Sequence, residues 1–95
     1  MNDWKFNEPQ NVAVITTVKI LNGENEIIYV SHDLDDGMWQ FLDGEICETK
    51  NAILIALKEM VEHDNSIVQI ANLPTGYIAH RKSKKDVWVT EKLST

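Results

Sequence analysis

The residues able to do chemistry in this chain are few: one cysteine, three histidines and fifteen carboxylates among 95 residues. The densest grouping is His32-Asp33-Leu34-Asp35-Asp36, which puts one imidazole and three carboxylates in five positions. A hard cation can use the oxygens and a transition metal the ring nitrogen. A calcium loop, however, alternates its ligands over about 12 residues, with a central glycine and a closing glutamate. The spacing here is different, and a solvated acidic turn between two strands is the plainer account. Cys47 is a nucleophile only if a base among His32, His63 and His80 holds its thiolate within hydrogen-bond reach. Glu45 and Glu48 on either side disfavour that thiolate, so Cys47 reads as structural or incidental. His63-Asp64 reads as a helix terminus, where a histidine suits the negative end of the dipole. Arg81-Lys82-Ser83-Lys84-Lys85 carries four positive charges in five residues, near Tyr77 and Trp88. Such a run can grip phosphates while aromatics stack on bases.

The charge balance argues against nucleic acid as the partner. The chain has 9 basic and 15 acidic side chains, a net charge of −6. Residues 1–64 hold 4 basic and 13 acidic groups, and residues 65–95 hold 5 and 2. Acidity therefore characterises the first two thirds, and the basic run is a local exception best read as a solvated loop. No glycine-rich phosphate loop, zinc spacing, nucleophile elbow or HExxH motif is present. The expectation is a protein that is not an enzyme, with no cofactor and no metal.

The elements that must position these residues follow from composition and periodicity. With 43% apolar residues the chain is expected to fold as one small α+β domain over residues 12–95. Residues 1–11, interrupted by Pro9, form an N-terminal segment whose Trp4 and Phe6 either pack back on the body or are mobile. A lone cysteine excludes an internal disulfide. The longest apolar run, Ala52 to Leu57, is six residues, far short of the roughly 20 a membrane helix needs. The N-terminus shows no basic-then-apolar leader, so a cytoplasmic location is expected.

Val12 to Ile20 is rich in β-branched residues and apolar on both faces, which predicts a central strand. Asn22-Gly23-Glu24-Asn25 turns the chain into Glu26–His32, an antiparallel hairpin partner. Met38–Leu42 alternates as a third strand. Lys50–His63 carries Ile53, Leu57, Met60 and Val61 on one helical stripe, widened by Leu54 and Ile55, with Thr49 or Asn51 as cap. A short helix over Ile67–Asn72 stops before Pro74. Tyr77–Arg81 and Asp86–Glu91 complete a mainly antiparallel sheet of about five strands, with one long and one short helix on one face. Trp39, Phe41, Tyr77 and Trp88 are expected in the core or on the sheet face.

Two stretches resemble a known family. Asp35-Asp36-Gly37-Met38-Trp39-Gln40-Phe41-Leu42-Asp43-Gly44-Glu45 is similar to the acidic-turn, glycine, tryptophan, aromatic and Gly-acid block of the bacterial immunity protein 33 family, a domain-of-unknown-function family. Asp64-Asn65-Ser66-Ile67, Leu73-Pro74-Thr75-Gly76 and Arg81 resemble its Asp-x-Ser-Ile, x-Pro-x-Gly and Arg block. Met38 between Gly37 and Trp39 departs from the pattern, as in a sister group. The resemblance spans roughly residues 12–81 and implies a small intracellular binder that protects its host from a toxin. It brings no catalytic residues with it.

An acidic domain of this kind suits a basic surface, such as the groove of a toxin or nuclease domain, because complementary charge speeds the encounter. The expected partner-binding rim is Asp33, Asp35, Asp36, Asp43 and Glu45. Two rivals remain: a metal-dependent enzyme or regulator built on His32 and the adjacent carboxylates, and a structural domain that forms a homo-oligomer through its edge strands.

Overall fold

The computed structural model describes residues 4–45 and 49–93. Among these residues six strands lie in one sheet: β1 (Ala13–Thr17), β2 (Tyr29–His32), β3 (Trp39–Leu42), β4 (Ala52–Ala56), β5 (Tyr77–His80) and β6 (Val89–Lys92). Two short α-helices, α1 (Val18–Leu21) and α2 (Leu57–His63), accompany them, with 3-10 turns at Thr49–Asn51 and Asn65–Ile70. The strand order is β4-β1-β3-β2-β5-β6. Only the β1–β3 pairing is parallel, and the other four are antiparallel. The class is α+β, as expected, while the details differ in three places.

The first difference is the opening strand. It stops at Thr17 because the Thr17 hydroxyl accepts the Ile20 N–H at 3.2 Å and caps α1. A helix N-terminus leaves such donors orphaned, and a threonine satisfies one of them. The turn into α1 carries Ile20 into the core, where it is fully enclosed. With the chain diverted, β1 and β2 do not form the expected hairpin. β1 instead lies parallel to β3, Ile15 opposite Gln40, and the hairpin is made by β2 and β3.

The second difference concerns residues 50–63. Ala52–Ala56 is not helical but pairs antiparallel with β1 over its full length, from Ala13↔Ala56 to Thr17↔Ala52. A short continuous apolar run satisfies helical and strand periodicity alike. The competition is settled by the free edge of β1, which the β-branched pair Ile53 and Ile55 can cover on the core side. The helix begins only at Leu57, where Glu59 accepts the Ala56 N–H at 3.0 Å. The sixth strand thus comes from the half of the expected helix that is absent. The third difference is smaller: the second helix is a 3-10 segment and begins two residues earlier, at Asn65.

The core lies between one face of the sheet and the helical segments. Val14, Val30, Trp39, Phe41 and Ala79 come from the strands, and Ile20, Leu57, Met60, Ile67, Ile70 and Leu73 from the chain above them. Phe6, from the N-terminal segment, joins the same cluster and meets Trp39 edge-on, centroids 5.2 Å apart. Edge-to-face contact sets the positive ring edge on the negative π-face. The opposite face of the sheet carries Ile15, Gln40, Ser31, Ile78 and Glu91 in one row across five strands.

Candidate functional site

The acidic residues singled out above fall into two groups at opposite ends of β3. Asp33, Asp35 and Asp36 belong to the β2–β3 turn, and Asp43 and Glu45 follow the strand's other end. Four strand residues stand between them, about 13 Å at about 3.3 Å per residue. The five carboxylates therefore do not make one continuous rim.

Each group is held differently. Asp33 accepts Ser31 Oγ at 3.0 Å and Gln40 Nε2 at 2.6 Å, a bridge between neighbouring strands. Its main chain closes the turn, through Asp33 N–H to Met38 O and Gly37 N–H to Asp33 O. Gly37 sits at φ +72°, a left-handed conformation that side chains rarely adopt, so the turn needs a glycine there. Asp36 accepts the Met38 N–H at 2.9 Å. Asp35 has no hydrogen-bond or ion-pair partner among the described residues and is exposed. At the far end, Asn25 Nδ2 donates to Asp43 and to Glu45, 2.9 Å each. Lys19 Nζ pairs with Glu45 at 3.2 Å, and that hydrogen bond and charge raise the lysine above its usual 10.5. Asp43 and Glu45 are thus committed to local cross-links, and the open carboxylates are Asp35 and Asp36.

Leu34, in the β2–β3 turn between Asp33 and Asp35, has 63% of its surface in solvent. Together with Asp33, Asp35, Asp36 and Lys92 it lines a cleft of about 530 Å³. Gly76 also lines that cleft: its N–H donates to His32 O at 2.7 Å, and a Cβ added there would meet the Leu34 side chain at 3.7 Å. Carboxylates around an exposed leucine form a surface with an apolar centre and a charged margin, the layout of many binding patches.

His32 does not join the acidic group. Successive strand side chains point to opposite faces, and His32 turns into the core as Asp33 turns away. The ring stacks on Trp39 with centroids 4.0 Å apart. Nδ1 lies 2.7 Å from Leu73 O and therefore donates to it, since a carbonyl only accepts. Nε2 stands 3.3 Å from Glu8 Oε2. Among the described residues no three histidine, cysteine or acidic side chains gather as metal ligands. Trp39 is 1% exposed, and its Nε1 has no hydrogen-bond partner among the described residues. It is a core residue, and the large apolar side chain exposed on the β2–β3 turn is Leu34. Cys47 lies outside the described residues.

The second motif block converges in space. Asp64, Ser66 and Arg81, separated by up to 17 positions, form one buried knot. Arg81 donates to Asp64 at 3.2 Å, to Ser66 Oγ at 2.9 Å and twice to Ile27 O, at 3.0 and 2.8 Å. Ser66 Oγ in turn donates a hydrogen bond to Asp64 at 2.6 Å, and the indole of Trp88 covers the guanidinium at 3.9 Å. Every polar group of the knot is satisfied internally, which makes it a staple joining the 3-10 segment to β5. The basic run of residues 81–85 therefore loses its first charge to the interior, and Lys82, Lys84 and Lys85 are its exposed members. Nothing in the spacing alone announces this, because an arginine beside three lysines reads as surface.

Compared with models of known protein families, with curated proteins and with solved structures, the chain finds no match in any of the three. No helix among the described residues is long and apolar enough to cross a membrane.

Proposed function

We propose that this chain is a small, non-enzymatic, cytoplasmic bacterial binding protein of the immunity type, related to or a sister of the immunity protein 33 family. Its partner is a basic toxin or nuclease domain, which it neutralises by covering it with the β2–β3 turn. The observation that carries this reading is the exposed Leu34 flanked by Asp35 and Asp36 on a turn fixed by Gly37. An apolar side chain flanked by exposed carboxylates that form no ion pair among the described residues suits a basic groove in sign. Asp33 supports the turn, and Asp43 and Glu45 play a positional part further away. The family reading is supported by the motif residues Asp64, Ser66 and Arg81 acting together as one buried cross-link in this chain.

The test is co-expression with the product of the adjacent reading frame. Wild type is expected to co-purify with it and to abolish its toxicity. The Leu34→Ser/Asp35→Asn/Asp36→Asn variant is expected to keep its fold and lose both. A variant that protects as well as wild type removes this surface from consideration.

A further inference from the structure

We propose that residues 4–11 form a proton-operated strap, docked on the core while His32 and Glu8 share one proton. Loss of that proton loosens it. The device stands on the geometry around His32 and does not depend on the acidic turn binding a partner.

Three contacts fasten the strap to the body. Phe6 is enclosed in the core against Trp39. Gln10 O accepts the Lys58 N–H at 2.9 Å, which ties the segment to the start of α2. Between them Glu8 Oε2 stands 3.3 Å from Nε2 of His32. The Trp4 indole N–H donates to Glu8 O at 2.7 Å and folds the segment back on itself.

Of the three contacts, only the one between Glu8 and His32 depends on a proton. His32 is 8% exposed, and each of its ring nitrogens faces an acceptor. A neutral imidazole carries one N–H, and Leu73 O, 2.7 Å from Nδ1, already uses it. Nε2 then presents a lone pair to the Glu8 carboxylate, which itself has only lone pairs to offer. The contact is attractive when one further proton lies between them, on Nε2 or on the carboxylate. On the ring, that proton makes a charge-assisted hydrogen bond and a cation stacked over the Trp39 indole, centroids 4.0 Å apart. Without it, two acceptors face each other.

The other groups about the ring are placed differently. Tyr77 of β5 stands opposite His32 in the β2–β5 register. Asp33, Asp35, Asp36 and Lys92 line the cleft that His32 borders. Asp33 is bound to Ser31 and Gln40 on the other face of the sheet, and Asp35, Asp36 and Lys92 are exposed. Solvent screens those charges. Glu8, with 24% of its side chain exposed, is the charge in direct contact with the ring. Docking takes up the shared proton, so it is favoured at low pH. A pH rising through the ordinary histidine range, about 6.5, favours release.

The test is hydrogen exchange on the full chain at about pH 6 and about pH 8, on either side of that range. Each rate is divided by its intrinsic value to give an opening equilibrium. The Trp4 indole and the Lys58 N–H report release of the strap. Their opening is expected to increase at least about tenfold between the two pH values. At both it should exceed the opening of the β2–β3 ladder, because the strap leaves before the sheet unfolds. Glu8→Gln supplies an amide N–H that donates to a neutral Nε2, so this variant is expected to open equally at both pH values. Every other ionisable group is common to the two chains, and the difference between them belongs to Glu8. Equal opening of the wild type at both pH values overturns the proposal, as does Glu8→Gln keeping the wild-type pH dependence. So does a strap that opens no more often than the ladder.

Discussion

Arg81 and Asp64 meet at 3.2 Å with the guanidinium head fully enclosed and the carboxylate only 5% exposed. Enclosing two charges carries a large desolvation cost, which their attraction offsets only when the remaining donors and acceptors are also satisfied. Here Ile27 O, Ser66 Oγ and Lys84 O take the other guanidinium hydrogens, and Ser66 fills the second carboxylate oxygen. Removing one partner strands the other. Arg81→Ala and Asp64→Ala are each expected to destabilise the fold by about 3–5 kcal/mol in urea titration. Arg81→Lys should recover little, since one ammonium cannot reproduce the fork or the stacking on Trp88.

Leu54 and Leu57 separate the strand from the helix experimentally. A helix over residues 50–63 places both on one buried stripe. In the structure Leu57 is fully enclosed and Leu54 is 64% exposed. Leu57→Ala should cost about 2–5 kcal/mol and Leu54→Ala less than about 1 kcal/mol. Equal losses in thermal melts would favour the helix.

That pair also marks what was legible in the sequence and what was not. The α+β class and the strands around Val30, Trp39 and Ile78 follow from alternation, because each has one face turned to the core. Ala52–Ala56 was ambiguous because five apolar residues in a row carry no period, and its state depends on β1, far away in sequence. The short α1 was hidden behind β-branched residues whose preference a single threonine cap overrides. At the candidate site, the acidic turn was visible as a cluster of like residues. That Asp43 and Glu45 are occupied was not visible, because their partners Asn25 and Lys19 lie about 20 positions earlier. The same holds for Leu34: its exposure depends on the turn geometry, whereas its composition merely suggests an interior residue.

Phe6 ties the N-terminal segment to the core. It is 5% exposed and packs between Trp4 and Trp39. Phe6→Ala is expected to destabilise the protein by about 3 kcal/mol, at the lower end for a buried aromatic because the segment can relax into the space. Tryptophan fluorescence should report the loss directly, since the ring contacts two of the three indoles.

Lys19 and Glu45 give a pH dependence with a definite sign. The lysine is raised above 10.5 by the hydrogen bond and charge of Glu45. A raised folded value means that the pair contributes stability below about 10.5, lost as pH climbs through the shifted value. Both groups face solvent, so the contribution is small and screened by salt. In an NMR titration the Lys19 side-chain resonances should turn above 10.5 in wild type and move back towards it in Glu45→Gln.

The most direct measurement of the central claim is the affinity for the adjacent gene product, by titration calorimetry at two ionic strengths. Wild type should bind, with affinity falling as salt rises. Asp35→Asn/Asp36→Asn should bind at least about tenfold more weakly, or about 1.4 kcal/mol, and show a flatter salt dependence. A double variant with wild-type affinity and wild-type salt dependence would contradict the account.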